Sequence, residues 1–186
     1  MIKKSMKKRL QSDLKPSRYE HTLGVEYTSA CLAMRYGCDV EKADLAGLLH
    51  DCAKHLPDRK KLRLCKKKKI QISPAEQNNP GLLHAKLGAV LAKEVYGIKD
   101  EEILSAIEWH TTGKPEMSLL DKIVFIADYI EPNRDQAPHL DKIRQMAFTD
   151  LDQCLLMILK QTLEYLESKG AEIDPMTLET YQYYMK

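Results

Sequence analysis

Residues 39–53 read Asp-Val-Glu-Lys-Ala-Asp-Leu-Ala-Gly-Leu-Leu-His-Asp-Cys-Ala. Val40, Ala43, Ala46, Leu49 and Ala53 recur at steps of three and four residues, which is the period of a helix with one face turned inward and not the alternation of a strand. Asp39, directly before the first of them, is the cap such a helix needs. The stretch carries His50-Asp51 at its end, two adjacent side chains that project about 100° apart on a helix and can flank one point in space.

Working outward, the same spacing fills the chain, and an all-α fold is predicted. Ile2, Met6, Leu10 and Leu14 form a stripe at four-residue steps opposite a lysine-rich face, stopped by Pro16. Ser17 with Glu20 reads as a capping box opening a long helix that Gly37 closes. A lysine-rich helix follows Pro57, with Lys66 to Lys69 as its solvated face, and Ser73-Pro74 with Glu76 opens a short one. Gly81 to Gly97 and Asp100 to Gly113 bracket two more. Ser118 with Asp121 caps a helix to about Ile130, Pro132 to Pro138 is a loop, Asp150 to Gly170 is a long amphipathic helix, and Asp174-Pro175 begins the last.

At 186 residues the chain has the length of one domain, taken as 1–186. Its net charge of +2 is too small for nucleic-acid binding through bulk charge, so any anion site must be local. Five scattered cysteines with no Cys-x-x-Cys pair argue against a disulfide framework and for a reducing, cytoplasmic home. The basic N-terminus is not followed by an apolar signal segment, and the longest apolar run, Cys154 to Leu159, is far too short to span a bilayer; no membrane partner is expected. The apolar surplus at Leu155, Leu156, Ile158, Leu159, Leu163 and Leu166 fits either core packing or a homodimer.

The polar residues inside these apolar helices carry the chemistry. His21 lies one turn inside its helix beside Arg18, and His84, His110 and Asp128 each sit among small or apolar neighbours. A carboxylate in the string Lys122-Ile-Val-Phe-Ile-Ala-Asp-Tyr-Ile130 is expensive to bury unpaired, and a metal ion would supply the cation it needs. With His50 and Asp51 these make four imidazoles and two carboxylates, a donor set suited to Fe, Mn, Ni or Zn. Six such ligands can hold two ions if Asp51 bridges.

At these residues the chain resembles the HD-domain phosphohydrolases, whose pattern is a histidine, then His-Asp, then a distal Asp on successive helices of an all-α bundle. Arg18-x-x-His21-Thr-Leu-Gly-Val, Leu49-His-Asp-Cys-Ala-Lys-His55, Ile107-x-x-His110-Thr-Thr-Gly and Ile126-Ala-Asp-Tyr-Ile-Glu-Pro-Asn-Arg134 are similar to the bacterial YqeK family. That family consists of iron-dependent hydrolases that split diadenosine tetraphosphate symmetrically into two ADP. The resemblance runs from about Lys7 to Tyr184. It implies two metal ions, iron first with Mn, Ni or Zn as alternatives, one held by His21, His50, Asp51 and Asp128 and the other by Asp51, His84 and His110.

It also implies a dinucleoside polyphosphate as the small-molecule partner, attacked by a metal-bridged hydroxide. Asp51 and Lys54 take the catalytic roles. Arg18, Lys54 and Arg134 are expected on the phosphates, with His55 beside them, and His21, His84 and His110 border the substrate. Thr177, in Ile173-Asp-Pro-Met-Thr177, resembles the family's nucleotide-contact segment. Trp109 either walls the pocket or packs in the core, and His139 is read as a surface residue. Two other functions stay open: hydrolysis of a nucleoside monophosphate or cyclic nucleotide, and a non-catalytic nucleotide-binding module.

Overall fold

Eleven α-helices and one 3-10 turn make up the computed structural model, which describes residues 2–186, the Ile2 side chain excepted, and has no strand among them. In α1 (Ile2–Asp13) Met6 is buried, as are Leu10 and, just beyond it, Leu14, while the Ile2 member of the predicted stripe lies outside the described side chains. Not all of its lysine face is solvated: Lys3 and Lys7 reach Glu26, fully buried in α2 (Pro16–Tyr36), at 2.6 and 2.7 Å. A carboxylate that deep stays charged only when paired, and the two ammonium groups pin α1 to α2.

The start of α2 differs from the expected capping box. Lys15 is the N-cap, without a side-chain hydrogen bond, and Pro16 stands at the first helical position, leaving Ser17 inside the helix. Proline brings a preset φ and no N–H to satisfy, which makes the serine cap unnecessary. Gly37 closes the helix at φ +71°.

Asp39 caps α3 (Val40–Leu49) through the Glu41 and Lys42 amides. Ala43, Ala46 and Leu49 face inward as expected, but Val40 at the helix's first position is 37% exposed. The helix also ends at Leu49, so Ala53 is buried from the following turn and not from the helix. Helices α2 and α3 meet at Gly47, where a Cβ would lie 2.8 Å from Ser29 Oγ and 2.9 Å from the Val25 carbonyl. Only glycine permits that approach.

Next come α4 (Asp58–Lys68), with Lys66 to Lys69 exposed, and α5 (Pro74–Asn78), capped by Ser73 and Glu76. The 3-10 turn Pro80–Leu83 runs into α6 (His84–Glu94), and Asp100 caps α7 (Glu101–Trp109). Ser118 and Asp121 form the expected capping box of α8 (Leu119–Ile130). A helix that the sequence reading lacked, α9 (Leu140–Ala147), precedes α10 (Leu151–Ser168) and α11 (Pro175–Tyr184).

Helix α8 is the axis of the bundle, packing on α2, α3, α7 and α10. Its Ile123, Val124, Ile126 and Ala127 are fully buried, and each large apolar side chain so placed contributes about 1.5–3 kcal/mol. Of the apolar residues on α10, Leu155, Ile158, Leu159 and Leu163 are buried in this same chain. Among the described residues no helix is long and apolar enough to cross a membrane.

Candidate metal centre

Four of the six predicted ligands lie at or just beyond a helix end or start, and a fifth is one turn further in. His50 and Asp51 follow α3, His84 opens α6, His110 ends α7, and His21 stands in the second turn of α2. Asp128 projects from the axial helix α8. Three of the histidines share one local device: the Nδ1 of His50, His84 and His110 lies 2.7 Å from the carbonyl three residues earlier, on Gly47, Gly81 and Ile107 respectively. A carbonyl only accepts, so each Nδ1 carries the proton and each Nε2 presents a lone pair.

Those Nε2 atoms converge on the two carboxylates. Asp51 Oδ1 is 3.2 Å from His84 and 3.9 Å from His110, Asp51 Oδ2 is 3.5 Å from His50, and Asp128 Oδ1 is 3.0 Å from His21 and 3.9 Å from His50. Ligand atoms gather within 4.8 Å of one another in the sets His21, His50, Asp51; His50, His110, Asp128; and Asp51, His84, His110. His50 Nε2 and Asp51 Oδ1 are buried and lack a hydrogen-bond partner among the described residues. Buried polar atoms left so cost about 1–3 kcal/mol each, a cost that a coordinated cation removes. The donors present fit a divalent metal ion.

The electrostatics agree with that fit. Burial would push Asp51 up, yet His50 and His84 hold it well below the usual carboxylate range. Burial likewise opposes the charge of Asp128, which His21, 3.0 Å away, and the neighbouring imidazoles keep ionised. Burial, aided by His84 and His50, pushes His110 down to about 3, so it is the neutral ligand form at any physiological pH. For His50 burial works against protonation, but Asp51 and Asp128 outweigh it and raise its pKa.

Three cations border the cluster. Arg18 Nη1 meets Asp51 Oδ2 at 3.0 Å, Arg134 Nη2 meets Asp128 Oδ1 at 3.3 Å, and Lys54 Nζ lies 3.2 Å from His84 Nε2 and 3.9 Å from Asp51 Oδ1. His55 is exposed in the turn after Lys54, and His139 is exposed too. Thr177 is buried in the first turn of α11, its amide bonded to the Asp174 carbonyl. Trp109 is half-buried and lines a cleft of about 250 Å³ with Lys86, Thr112 and Met176, a cavity whose lining includes none of the predicted ligands.

One important residue carried no role in the sequence reading. Glu131, 2% exposed, accepts from His21 Nδ1 at 3.0 Å through Oε1 and from the Asn133 amide through Oε2. Gly24 makes room for it, since a Cβ there would stand 2.2 Å from Oε2. Arg144 of α9 fixes the same turn by donating to the carbonyls of Ile130, Glu131 and Arg134. The available signal was an acid at the end of the apolar α8 run, immediately before Pro132.

Comparison with known proteins gives the same grouping. The HD domain matches residues 18–133. The chain is 41% identical over 176 residues to the symmetrical bis(5'-nucleosyl)-tetraphosphatase of Bacillus subtilis, covering 94% of this chain and 92% of that protein. It is 46% identical over 164 residues to the protein so named in Halalkalibacterium halodurans, covering 88% and 87%. A crystal structure from Clostridium acetobutylicum, described as a predicted HD superfamily hydrolase involved in NAD metabolism, superposes with a TM-score of 0.95 at 43% identity, covering 98% of this chain and 96% of that one. With the HD domain matched over residues 18–133 and relatives this similar along nearly its whole length, the chain belongs to the HD-domain family and, within it, to the YqeK family.

Proposed function

We propose that this chain is a metal-dependent hydrolase that cleaves diadenosine tetraphosphate symmetrically into two ADP. The observation that carries the reading is the convergence of four imidazole Nε2 atoms on Asp51 and Asp128, in a chain 41% identical to a protein named for that activity. His21, His50, Asp51 and Asp128 would hold one ion, and Asp51, His84 and His110 would hold a second. Iron is the expected metal, and Mn, Ni or Zn suit the same donors. Two such ions supply an activated water and neutralise phosphate charge.

The chain's own residues do the rest. His50, His84 and His110, each oriented by a carbonyl, keep their lone pairs aimed inward without needing to reorganise. Lys54 and Arg18 stand on the Asp51 side and Arg134 on the Asp128 side, so a polyphosphate laid across the cluster meets a cation at either end. When phosphate arrives, Arg18 and Arg134 exchange their carboxylate contacts for phosphate oxygens, which a guanidinium fork can grip bidentately. Fixed positions for the cluster and for these cations select one register along the chain of phosphates. His55 and Thr177 complete the proposed substrate contacts.

Brief reaction with diadenosine tetraphosphate in oxygen-18 water, followed by chromatography and mass spectrometry, tests the register. ADP as sole product, with label in one ADP of each pair, is the expected result. Equal amounts of AMP and ATP overturn the symmetrical cleavage, and rapid phosphate release from nucleoside monophosphates with no turnover of the tetraphosphate overturns the substrate.

A further inference from the structure

Beyond the metal centre, on the side of Asp128, the structure holds a cleft of about 550 Å³, within the size range of about 300–1,000 Å³ usual for small-molecule sites. Tyr129, Arg134 and Pro138 wall it on one side, and Gln161 and Tyr165 of α10 on the other. It shares one residue with the surroundings of the centre: Arg134, which touches Asp128 at 3.3 Å, lines the cleft as well. The Arg134 guanidinium also lies over the Tyr129 ring, 5.7 Å from its centroid. A cation beside the cluster thus leads directly onto an aromatic surface.

We infer that this cleft holds one nucleoside of the dinucleoside polyphosphate, an inference that rests on the function proposed above and assigns a subsite to it. Tyr165 is 61% exposed at the rim, where its ring, approached by Lys169 at 5.8 Å from the centroid, presents aromatic surface to a planar base. The Tyr129 hydroxyl donates to Gln161 Oε1 at 3.1 Å. That bond orients the Gln161 amide and leaves its NH2 group to donate to a ring nitrogen of the base. The arrangement follows the chemistry of the ligand from end to end: metals for the central phosphates, Arg134 for the next phosphate, tyrosines and an amide for the nucleoside.

Tyr165→Ala and Gln161→Leu, both away from the metal ligands, test the assignment by steady-state kinetics on diadenosine tetraphosphate. Loss of a base–aromatic contact predicts a rise in KM of about tenfold with kcat changed far less. A crystal structure with ADP should show a base in the cleft, against Tyr165. Unchanged KM in both variants overturns the subsite while leaving the proposed activity standing, as does an ADP complex whose bases all lie elsewhere. Loss of kcat at constant KM assigns the two residues to stability or to the metal centre and also overturns it. If the unaltered protein releases no ADP from diadenosine tetraphosphate, the proposed function fails, and the subsite falls with it.

Discussion

His21 and Glu131, 110 residues apart in sequence, meet at 3.0 Å between the imidazole Nδ1 and the carboxylate Oε1. The other three imidazoles of the centre take their orientation from a carbonyl three residues back, inside their own helical turn. His21 alone takes it from the far end of α8. A carboxylate in that position fixes the tautomer and the orientation of the ring, so the imidazole and the helix that orients it are energetically linked.

Removing the carboxylate should therefore weaken metal binding without touching a ligand. Glu131→Ala is expected to lower metal affinity by about 10–100-fold. Glu131→Gln, which keeps an oxygen able to accept from Nδ1, should recover part of it. Gly24→Ala should move affinity in the same direction as Glu131→Ala, because the new methyl occupies the place of Oε2. Competition with a chromogenic chelator measures all three; wild-type affinity in Glu131→Ala would show that His21 needs no such partner.

Asp51 is expected to be the residue that both metals share. Asp51→Asn keeps its shape but weakens an anionic ligand, so metal content should fall and hydrolysis should be lost. Elemental analysis of the purified variant decides the matter, and full metal loading with activity would contradict the bridging role.

Lys54→Ala and Arg134→Ala should separate phosphate binding from metal binding. Each change removes a charge-assisted hydrogen bond of about 1.5–3 kcal/mol, equivalent to roughly 10–150-fold in kcat/KM. Metal content should stay near that of the unaltered protein. A variant that loses metal and activity together would put the residue in the metal shell instead.

The metal-free protein should show a stability maximum near pH 6.5. Unfolded His110 takes up a proton near its ordinary value of 6.5, whereas burial beside His84 and His50 keeps the folded residue neutral down to about pH 3. The unfolded state thus binds more protons in that interval, and stability is lost as pH falls through it. The depressed carboxyl of Asp51 adds a further loss below its unfolded value of 3.8. His50 acts in the opposite sense: its raised pKa gives stability that is present below 6.5 and lost as pH rises through the folded value. Melting temperatures of chelator-treated protein across pH 4–8 should fall on both sides, and His110→Asn should flatten the acid side. An unchanged acid slope in that variant would remove His110 as its source.

Most helix starts were legible because a cap is a local event. Asp39, Ser73, Asp100, Ser118 and Asp174 each bond amides within three residues of themselves, and sequence spacing alone gives that geometry. Helix α9 escaped because it lacks such a signal: its N-cap is His139 at φ +56°, with no side-chain hydrogen bond, and only Leu140, Ile143 and Ala147 mark its inner face. The start of α2 was misplaced because Ser17 with Glu20 imitates a capping box directly after a proline that already sets the helix.

For the site, the sequence by itself determined the chemistry on offer, since four histidines and two aspartates set in apolar helices have few uses besides binding a cation. It also determined three of the imidazole orientations in principle, because the carbonyl that fixes each ring is three residues away in the same turn. Only the tertiary structure decided that Glu131 holds His21, that Gly24 clears space for it, and that Arg18 and Arg134 rest on Asp51 and Asp128. Periodicity reports which face of a helix is buried, but not which residue of a distant helix it meets. That pairing depends on how α2 and α8 cross, which is set by the packing of the whole core.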